Sequence, residues 1–152
     1  MSAPSTELLT QSIRAAGLKV TEQRLAVLKA LHGAPHSNAD IVFGEVKRGL
    51  PGTSVQAVYG VLAALTTAGL LRKIEPAGSS ALYERRIGDN HHHLICSSCA
   101  AVRDVDCVVG EAPCLTPSAS AGFAVHTAEV TFWGLCAGCQ QHSQIAEAKE
   151  KL

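Results

Sequence analysis

The chain has 152 residues, of which 47% are hydrophobic, enough to bury the core of one domain or of two small ones. Its N-terminal segment lacks the basic start and apolar run of a signal peptide, and no uninterrupted apolar run of about 18 residues could span a membrane. We therefore expect a cytoplasmic protein, in which six cysteines indicate metal binding or redox chemistry rather than structural disulfides.

The net charge is zero, but the charges are unevenly distributed along the chain. Residues 1–86 contain ten Lys and Arg and six acidic residues, whereas residues 87–152 contain three basic and seven acidic residues. The second segment also holds all six cysteines. This asymmetry predicts two domains with different partners, 1–86 and 87–152. Chance asymmetry in a short chain is the alternative.

The basic segment predicts three helices. Thr21 is a suitable cap for a helix over "EQRLAVLKALHG" that stops at Gly33. "NADIVFGEVKRGL" predicts the second helix, and "TSVQAVYGVLAALTTAGLL" predicts the third, which ends near Gly69. The hydrophobic spacing predicts core positions at Leu25, Leu28 and Leu31 in the first helix, Ile41, Val42, Val46 and Leu50 in the second, and Val55, Val58, Leu62 and Leu65 in the third.

A hairpin is predicted next, because "LLRKIE" and "ALYERR" flank a "PAGSS" turn. Helices followed by a basic hairpin are typical of a winged-helix DNA-binding domain, whose reader helix enters the major groove. On that helix Gln56 suits base edges, and Tyr59 suits a phosphate or a thymine methyl. The alternative is that the helical pattern reflects only a packed core. Further candidate DNA contacts are Lys19, Arg24 and Ser54.

Two cysteine pairs stand in the acidic segment, "CSSC" at Cys96 and Cys99 and "CAGC" at Cys136 and Cys139. Two residues between thiolates let both sulfurs reach one ion, and a second pair completes a tetrahedron. The pattern therefore favours structural zinc. A redox dithiol is the alternative, but it would need only one pair.

Three histidines precede the first cysteine pair in "DNHHHLICSSC". Side chains of an extended segment alternate between two faces, so His91 and His93 should point to one side and His92 to the other. Two imidazoles alone do not make a metal site. Further candidate ligands are Glu84 just before this segment, Asp104 soon after the first cysteine pair, and His36 in the basic segment. The alternatives are a solvated loop acid, an aspartate at a strand edge and a surface histidine, respectively.

Taken together, "GLKVTEQRLAVL", "SVQAVYGVL", "ALYERR", "HHHLICSSC", "VRDVD" and "CAGC" resemble the ferric uptake regulator family over nearly the whole chain. Within it, the chain looks most like the branch that controls catalase-peroxidase and oxidative-stress genes. The resemblance implies an α+β fold, with an N-terminal winged-helix DNA-binding domain and a C-terminal α/β domain that forms a homodimer. It also implies a metal-dependent transcriptional repressor, not an enzyme, that binds palindromic double-stranded DNA operators.

The resemblance further implies two metal sites and suggests a third. Structural Zn(II) would be bound by the four paired cysteines. A regulatory site would hold Fe(II) or Mn(II), which a mixed nitrogen and oxygen donor set suits. The implied regulatory ligands are His36, Glu84, His91, His93 and Asp104, and the candidates for the third site are His92, Glu111 and His126.

The chain also departs from the family pattern. Gly60 stands where many relatives have an arginine, and Asn90 and Ala128 stand where ligands of the third site are expected. Pro113 and Pro117 should shorten or break a helix that is longer in relatives.

Regulation by peroxide is predicted by analogy with peroxide-sensing relatives. It would act through oxidation of His36 or His91, or through a disulfide between Cys107 and Cys114. Two buried apolar thiols are the alternative for that cysteine pair. The alternative functions are an iron-, zinc- or nickel-homeostasis repressor of the same family, a metal-dependent enzyme and a thiol redox protein.

Overall fold

The computed structural model describes residues 4–87, 91–106, 119, 121–124 and 130–142. These form a mixed α+β fold. The contacts group the chain into two compact units, Met1–Asp89 and Asn90–Leu152, hereafter the first and the second unit. The elements of the first unit are α1 (Thr6–Ala15), α2 (Glu22–Gly33), α3 (Ala39–Gly49), α4 (Val55–Thr67), β1 (Arg72–Ile74) and β2 (Leu82–Glu84), and those of the second are β3 (His91–Cys96), β4 (Val102–Asp106) and β5 (Thr131–Gly134).

The three predicted helices are confirmed as α2, α3 and α4. Each begins after a polar cap, because the side chains of Thr21, Asn38 and Ser54 each accept a hydrogen bond from the backbone N–H three residues later. Gly69, which follows α4, has a φ of +71°, a conformation that glycine adopts without steric cost. Among the described residues, no helix is both long and apolar enough to cross a membrane.

Helix α1 was not predicted. Ser5 caps it by accepting a hydrogen bond from the Leu8 N–H, and Leu9 and Ile13 are its buried residues. Their spacing of four residues puts both side chains on one helix face. The signal was therefore present in the sequence, although it was shorter than the stripes of the other helices.

The core of the first unit lies between the four helices and the hairpin, and it corrects one predicted core position. Ile41 is 52% exposed, although its spacing predicted a buried side chain. Helix α3 instead buries Ala39, Val42 and Val46, so that Ile41 falls outside the buried stripe. The buried hydrophobic residues of this core are Leu9, Ile13, Val27, Leu28, Leu31, Ala39, Val42, Val46, Val58, Leu62, Leu65, Leu71 and Tyr83.

The predicted hairpin is confirmed by the antiparallel pairing of β1 with β2, in which Arg72 lies opposite Glu84. The segment before α3 also contacts this hairpin, because the Tyr83 N–H donates to the Ser37 carbonyl at 2.9 Å. This backbone bond fixes the position of His36, which precedes Ser37, beside the end of β2.

The second unit contains a three-stranded sheet with the order β4-β3-β5. Strand β3 pairs antiparallel with β4, with His93 opposite Asp104, and parallel with β5, with Cys96 opposite Gly134. The central strand β3 therefore carries histidines at its start and a cysteine at its end.

We predict that Leu62→Ala lowers the free energy of unfolding of the first unit by about 2–5 kcal/mol, because it leaves a cavity in the core. Leu62 is fully buried, whereas Leu8 on α1 is 57% exposed. Leu8→Ala is therefore the matched control and should change stability by less than about 0.5 kcal/mol. Urea denaturation followed by circular dichroism measures both, and equal effects would contradict the described core.

Candidate metal centres

The four paired cysteines lie together in the second unit, and we call this group the thiol cluster. Their sulfur atoms are all within 4.8 Å of one another. The parallel pairing of β3 and β5 accounts for this, because it aligns Cys96 with Gly134, two residues before Cys136. The Ser97 N–H extends the pairing by donating to the Gly134 carbonyl at 2.8 Å. Both cysteine pairs therefore leave the sheet at the same end.

The geometry of the thiol cluster fits a tetrahedral ion. Zinc–sulfur bonds of about 2.3 Å place the sulfurs of a tetrahedron about 3.8 Å apart. The Sγ atoms of Cys99 and Cys136 are 3.8 Å apart. The sulfur atoms of these two cysteines are therefore already at the separation that a tetrahedral zinc site requires.

The protonation of the thiol cluster also favours a cation. The pKa of Cys96 is lowered to about 6 by backbone N–H donors, first that of Cys136 and then those of Cys99 and Ser98. The Ser98 side chain lowers the pKa of Cys139, but the neighbouring cysteines raise it more, to about 12. The thiolate form is therefore favoured at Cys96 and disfavoured at Cys139. A bound divalent cation would stabilise the thiolate of Cys139 as well.

The strand β3 separates its three histidines as predicted. His91 and His93 have ring centroids 5.0 Å apart. Asp104 faces both rings, with its Oδ1 atom 3.6 Å from His93 Nε2 and 4.0 Å from His91 Nε2. Both histidines are almost completely buried. This group, which we call the strand half-site, brings two imidazoles and a carboxylate to one face of the sheet.

His92 faces away from its two neighbours, and its ring centroid lies 6.2 Å from that of Phe132 on β5. The other candidates for the third site, Glu111 and His126, lie outside the described residues, as do the candidate redox thiols Cys107 and Cys114. Four of the departures from the family pattern also lie outside the described residues, namely Asn90, Pro113, Pro117 and Ala128.

The first unit contributes a second group of candidate ligands, which we call the hairpin half-site. His36 Nε2 lies 2.9 Å from Glu84 Oε2. His36 has a φ of +59°, in the left-handed region where histidine is found more often than most residues. Arg72 lies opposite Glu84 across the hairpin, with its Nε 3.9 Å from Glu84 Oε1. The Glu84 carboxylate therefore has His36 near one of its oxygens and Arg72 near the other.

The candidate DNA contacts occupy two parts of the first unit. Gln56 and Tyr59 are exposed on α4, as a reading helix requires. Ser54 is also exposed, and its hydroxyl already accepts a bond as the α4 cap. Lys19 is exposed, and its backbone carbonyl accepts a hydrogen bond from the half-buried Arg24 guanidinium.

Asp106 is a candidate ligand that the sequence prediction missed. It is exposed at the end of β4 and lies opposite His91 in the register of the sheet, two residues beyond Asp104. The alternation in "VRDVD" was the available signal, because it puts Asp104 and Asp106 on one face of a strand.

An α+β fold with a thiol cluster and two groups of His and carboxylate ligands defines a metal-binding protein. Comparison with known proteins narrows the class further. The model of the ferric uptake regulator family matches residues 15–133. The chain therefore belongs to this family, whose members are metal-responsive transcriptional regulators and not enzymes. Family members bind DNA and are dimeric, and since they are regulators, the alternative of a metal-dependent enzyme is wrong.

Individual relatives support the same assignment. The transcriptional regulator FurA of Mycobacterium tuberculosis is 56% identical over 129 residues, which cover 85% of this chain and 88% of that protein. The peroxide-responsive repressor PerR of Staphylococcus aureus is 30% identical over 94 residues, covering 61% and 63%. The solved ferric uptake regulator Fur of Helicobacter pylori, described as having three functional metal-binding sites, superposes with a TM-score of 0.68 at 20% identity, covering 92% and 97%. That structural likeness supports the fold.

We predict that Cys136→Ser abolishes tight Zn(II) binding, because a tetrahedral site loses one of its four thiolates. The wild-type chain should retain about one Zn(II) after dialysis, measured by atomic absorption. Cys114→Ser is the matched control and should leave the zinc content unchanged, since Cys114 belongs to neither pair. Full zinc retention by Cys136→Ser would contradict this assignment.

Proposed function

We propose that the chain is a metal-dependent transcriptional repressor whose regulatory ion is bound jointly by the hairpin and strand half-sites. The observation that carries the proposal is the division of donors between the units. His36 and Glu84 belong to the first unit, whereas His91, His93 and Asp104 belong to the second. One ion that took ligands from both units would favour a single relative arrangement of them.

The donor set favours Fe(II) or Mn(II) at this regulatory site. It combines three imidazoles with two carboxylates, and such mixed sets with more than four donors suit these ions, whereas zinc is satisfied by four ligands. Thiolates, the preferred ligands of zinc, are gathered in the thiol cluster instead. We therefore assign Zn(II) to the thiol cluster as a structural ion and Fe(II) or Mn(II) to the regulatory role.

We infer that the first unit is a winged-helix DNA-binding domain. It combines a net positive charge with an exposed α4 surface and a hairpin rich in basic residues. In this proposal Gln56 and Tyr59 contact base edges and backbone in the major groove, and Lys19 and Arg24 contact phosphates. The second unit is then the dimerisation domain, which would place two reading helices about 34 Å apart on a palindromic operator.

The ion acts as the switch in this mechanism. It can shift the protein towards the DNA-binding arrangement only to the extent that it binds that arrangement more tightly than others. The shared ligand set supplies this difference, because all five donors are available only when both units contribute. When the ion is lost, the two units are no longer fixed relative to each other. The reading helices then lose the separation that the operator requires, and repression ends.

The signal that the regulator reads is either iron supply or peroxide. Iron homeostasis is supported by membership of the ferric uptake regulator family and by the donor set. Peroxide sensing is supported by the similarity to the peroxide-responsive repressor PerR. An Fe(II) ion held by these five donors would supply the chemistry that activates peroxide. Oxidation would then remove His36 or His91 as a ligand. A disulfide between Cys107 and Cys114 is the thiol route to the same response.

We predict that His91→Ala abolishes the stimulation of DNA binding by Mn(II), because the strand half-site loses an imidazole. The dimer and its zinc should be unaffected, since His91 lies outside the thiol cluster. Fluorescence anisotropy with a palindromic operator, with and without Mn(II), measures the effect. His32→Ala, which changes a half-buried histidine of α2, is the matched control and should keep the wild-type response.

A second prediction separates the two signals. If the protein senses peroxide through its histidine ligands, the Fe(II) form should lose operator binding after brief peroxide treatment, whereas the Mn(II) form should keep it. Mass spectrometry should then find an added oxygen on His36 or His91. Retention of DNA by the peroxide-treated Fe(II) form would support iron homeostasis instead, and DNA binding that is indifferent to metal would contradict the repressor mechanism.

A further inference from the structure

The face of the sheet that carries the strand half-site has a second carboxylate. Strand β4 pairs with β3 so that Asp104 lies opposite His93 and Asp106 lies opposite His91. Residues directly opposite each other in an antiparallel pair have Cβ atoms about 4.5–5.5 Å apart. Each of the two histidines is thus matched by an aspartate across the ladder.

We propose that Asp106 is a metal ligand and that, with His91, His93 and Asp104, it forms a site that captures a divalent cation within the second unit alone. This inference rests on the proposed regulatory site and adds to it a fourth local donor and an order of binding. The cation binds first to the four donors of the sheet. His36 and Glu84 of the first unit join it afterwards, and Glu84 then takes the place of Asp106, so that the final site keeps two carboxylates and the five donors of the proposed regulatory site.

Charge balance supports the second carboxylate. His91 and His93 are 1% and 4% exposed, so a cation bound to them is largely removed from water. Burying an unbalanced charge is costly, and one aspartate would leave a divalent ion with a net charge of +1. Two aspartates neutralise it. Imidazoles and carboxylates are ligands that Fe(II) and Mn(II) accept, and the donors of the first unit raise their number above four in the final site.

The difference in exposure supports the order of binding. Asp106 is exposed, Asp104 is half-buried and the two histidines are buried. An incoming hydrated ion therefore meets Asp106 first and can exchange its waters stepwise for the deeper ligands. The hairpin half-site is less suited to first capture, because it offers only two donors and these already contact each other at 2.9 Å.

The proposal is tested on the full-length dimer with zinc in the thiol cluster, using Mn(II) alone as the probe. The double variant His36→Ala/Glu84→Ala removes the hairpin half-site. We expect it to bind one Mn(II) per chain, with an affinity weakened by at least about tenfold relative to wild type, because two direct ligands are lost. The loss of the free Mn(II) signal in electron paramagnetic resonance measures binding without reference to DNA.

Adding Asp106→Asn to the double variant should weaken Mn(II) binding by at least about a further tenfold, because the local site loses a carboxylate. Asp106→Glu in the same background should keep most of the binding, since it retains the charge. Asp40→Asn, which changes an exposed acid on α3, is the matched control and should have no effect. Zinc content and thermal unfolding show that each variant is folded, and Asp106→Ser provides a second removal of the carboxylate.

Two results would overturn the proposal. One is a folded double variant that binds no Mn(II), because the second unit would then be insufficient for capture. The other is unchanged Mn(II) affinity when Asp106 is replaced by Asn or Ser in that variant. Operator binding by the wild type is measured separately. If it does not respond to Mn(II) while Asp106-dependent binding persists, the proposed function fails and this inference stands.

Discussion

The parallel pairing of β3 with β5 is the constraint on which the metal chemistry of the second unit depends. It brings two cysteine pairs that are 37 residues apart at their nearest members, Cys99 and Cys136, to one end of the sheet. The same strand β3 holds His91 and His93 at its other end. A cation in the thiol cluster would therefore stabilise the sheet and, through it, the positions of the regulatory ligands. The proposed structural and regulatory sites thus both take residues from one six-residue strand.

The division of labour between the units follows from their side chains. The first unit has a hydrophobic core, polar caps on its helices and an excess of positive charge, and it presents one histidine and one glutamate beside its hairpin. The second unit is acidic and rich in metal ligands. Neither half-site provides the five donors of the proposed regulatory site. In our proposal this incompleteness is what makes DNA binding depend on metal.

Local signals in the sequence were sufficient for most of the first unit. Thr21 capped α2 as expected, and a turn between two β-type segments gave the hairpin. Ile41 was misplaced because periodicity marks an apolar stripe but not its edges, which the neighbouring helices decide. The faces of β3 could also be predicted, since a strand must alternate. The resemblance to the family, rather than spacing, joined His36 and Glu84 to the strand ligands. The alternation in "VRDVD" put Asp106 on the same face as Asp104, but its position opposite His91 depends on the pairing register of β4, which the sequence does not reveal.

In the proposed mechanism, a single cation takes ligands from both units in the form that binds DNA. The most direct measurement is a crystal structure of the Mn(II)-loaded dimer bound to its operator, with the ion located by anomalous scattering. We expect one Mn(II) per chain that is ligated by His36 and Glu84 together with His91, His93 and Asp104. A DNA-bound structure in which the ion is held by the second unit alone, with the His36 imidazole outside its coordination sphere, would contradict it.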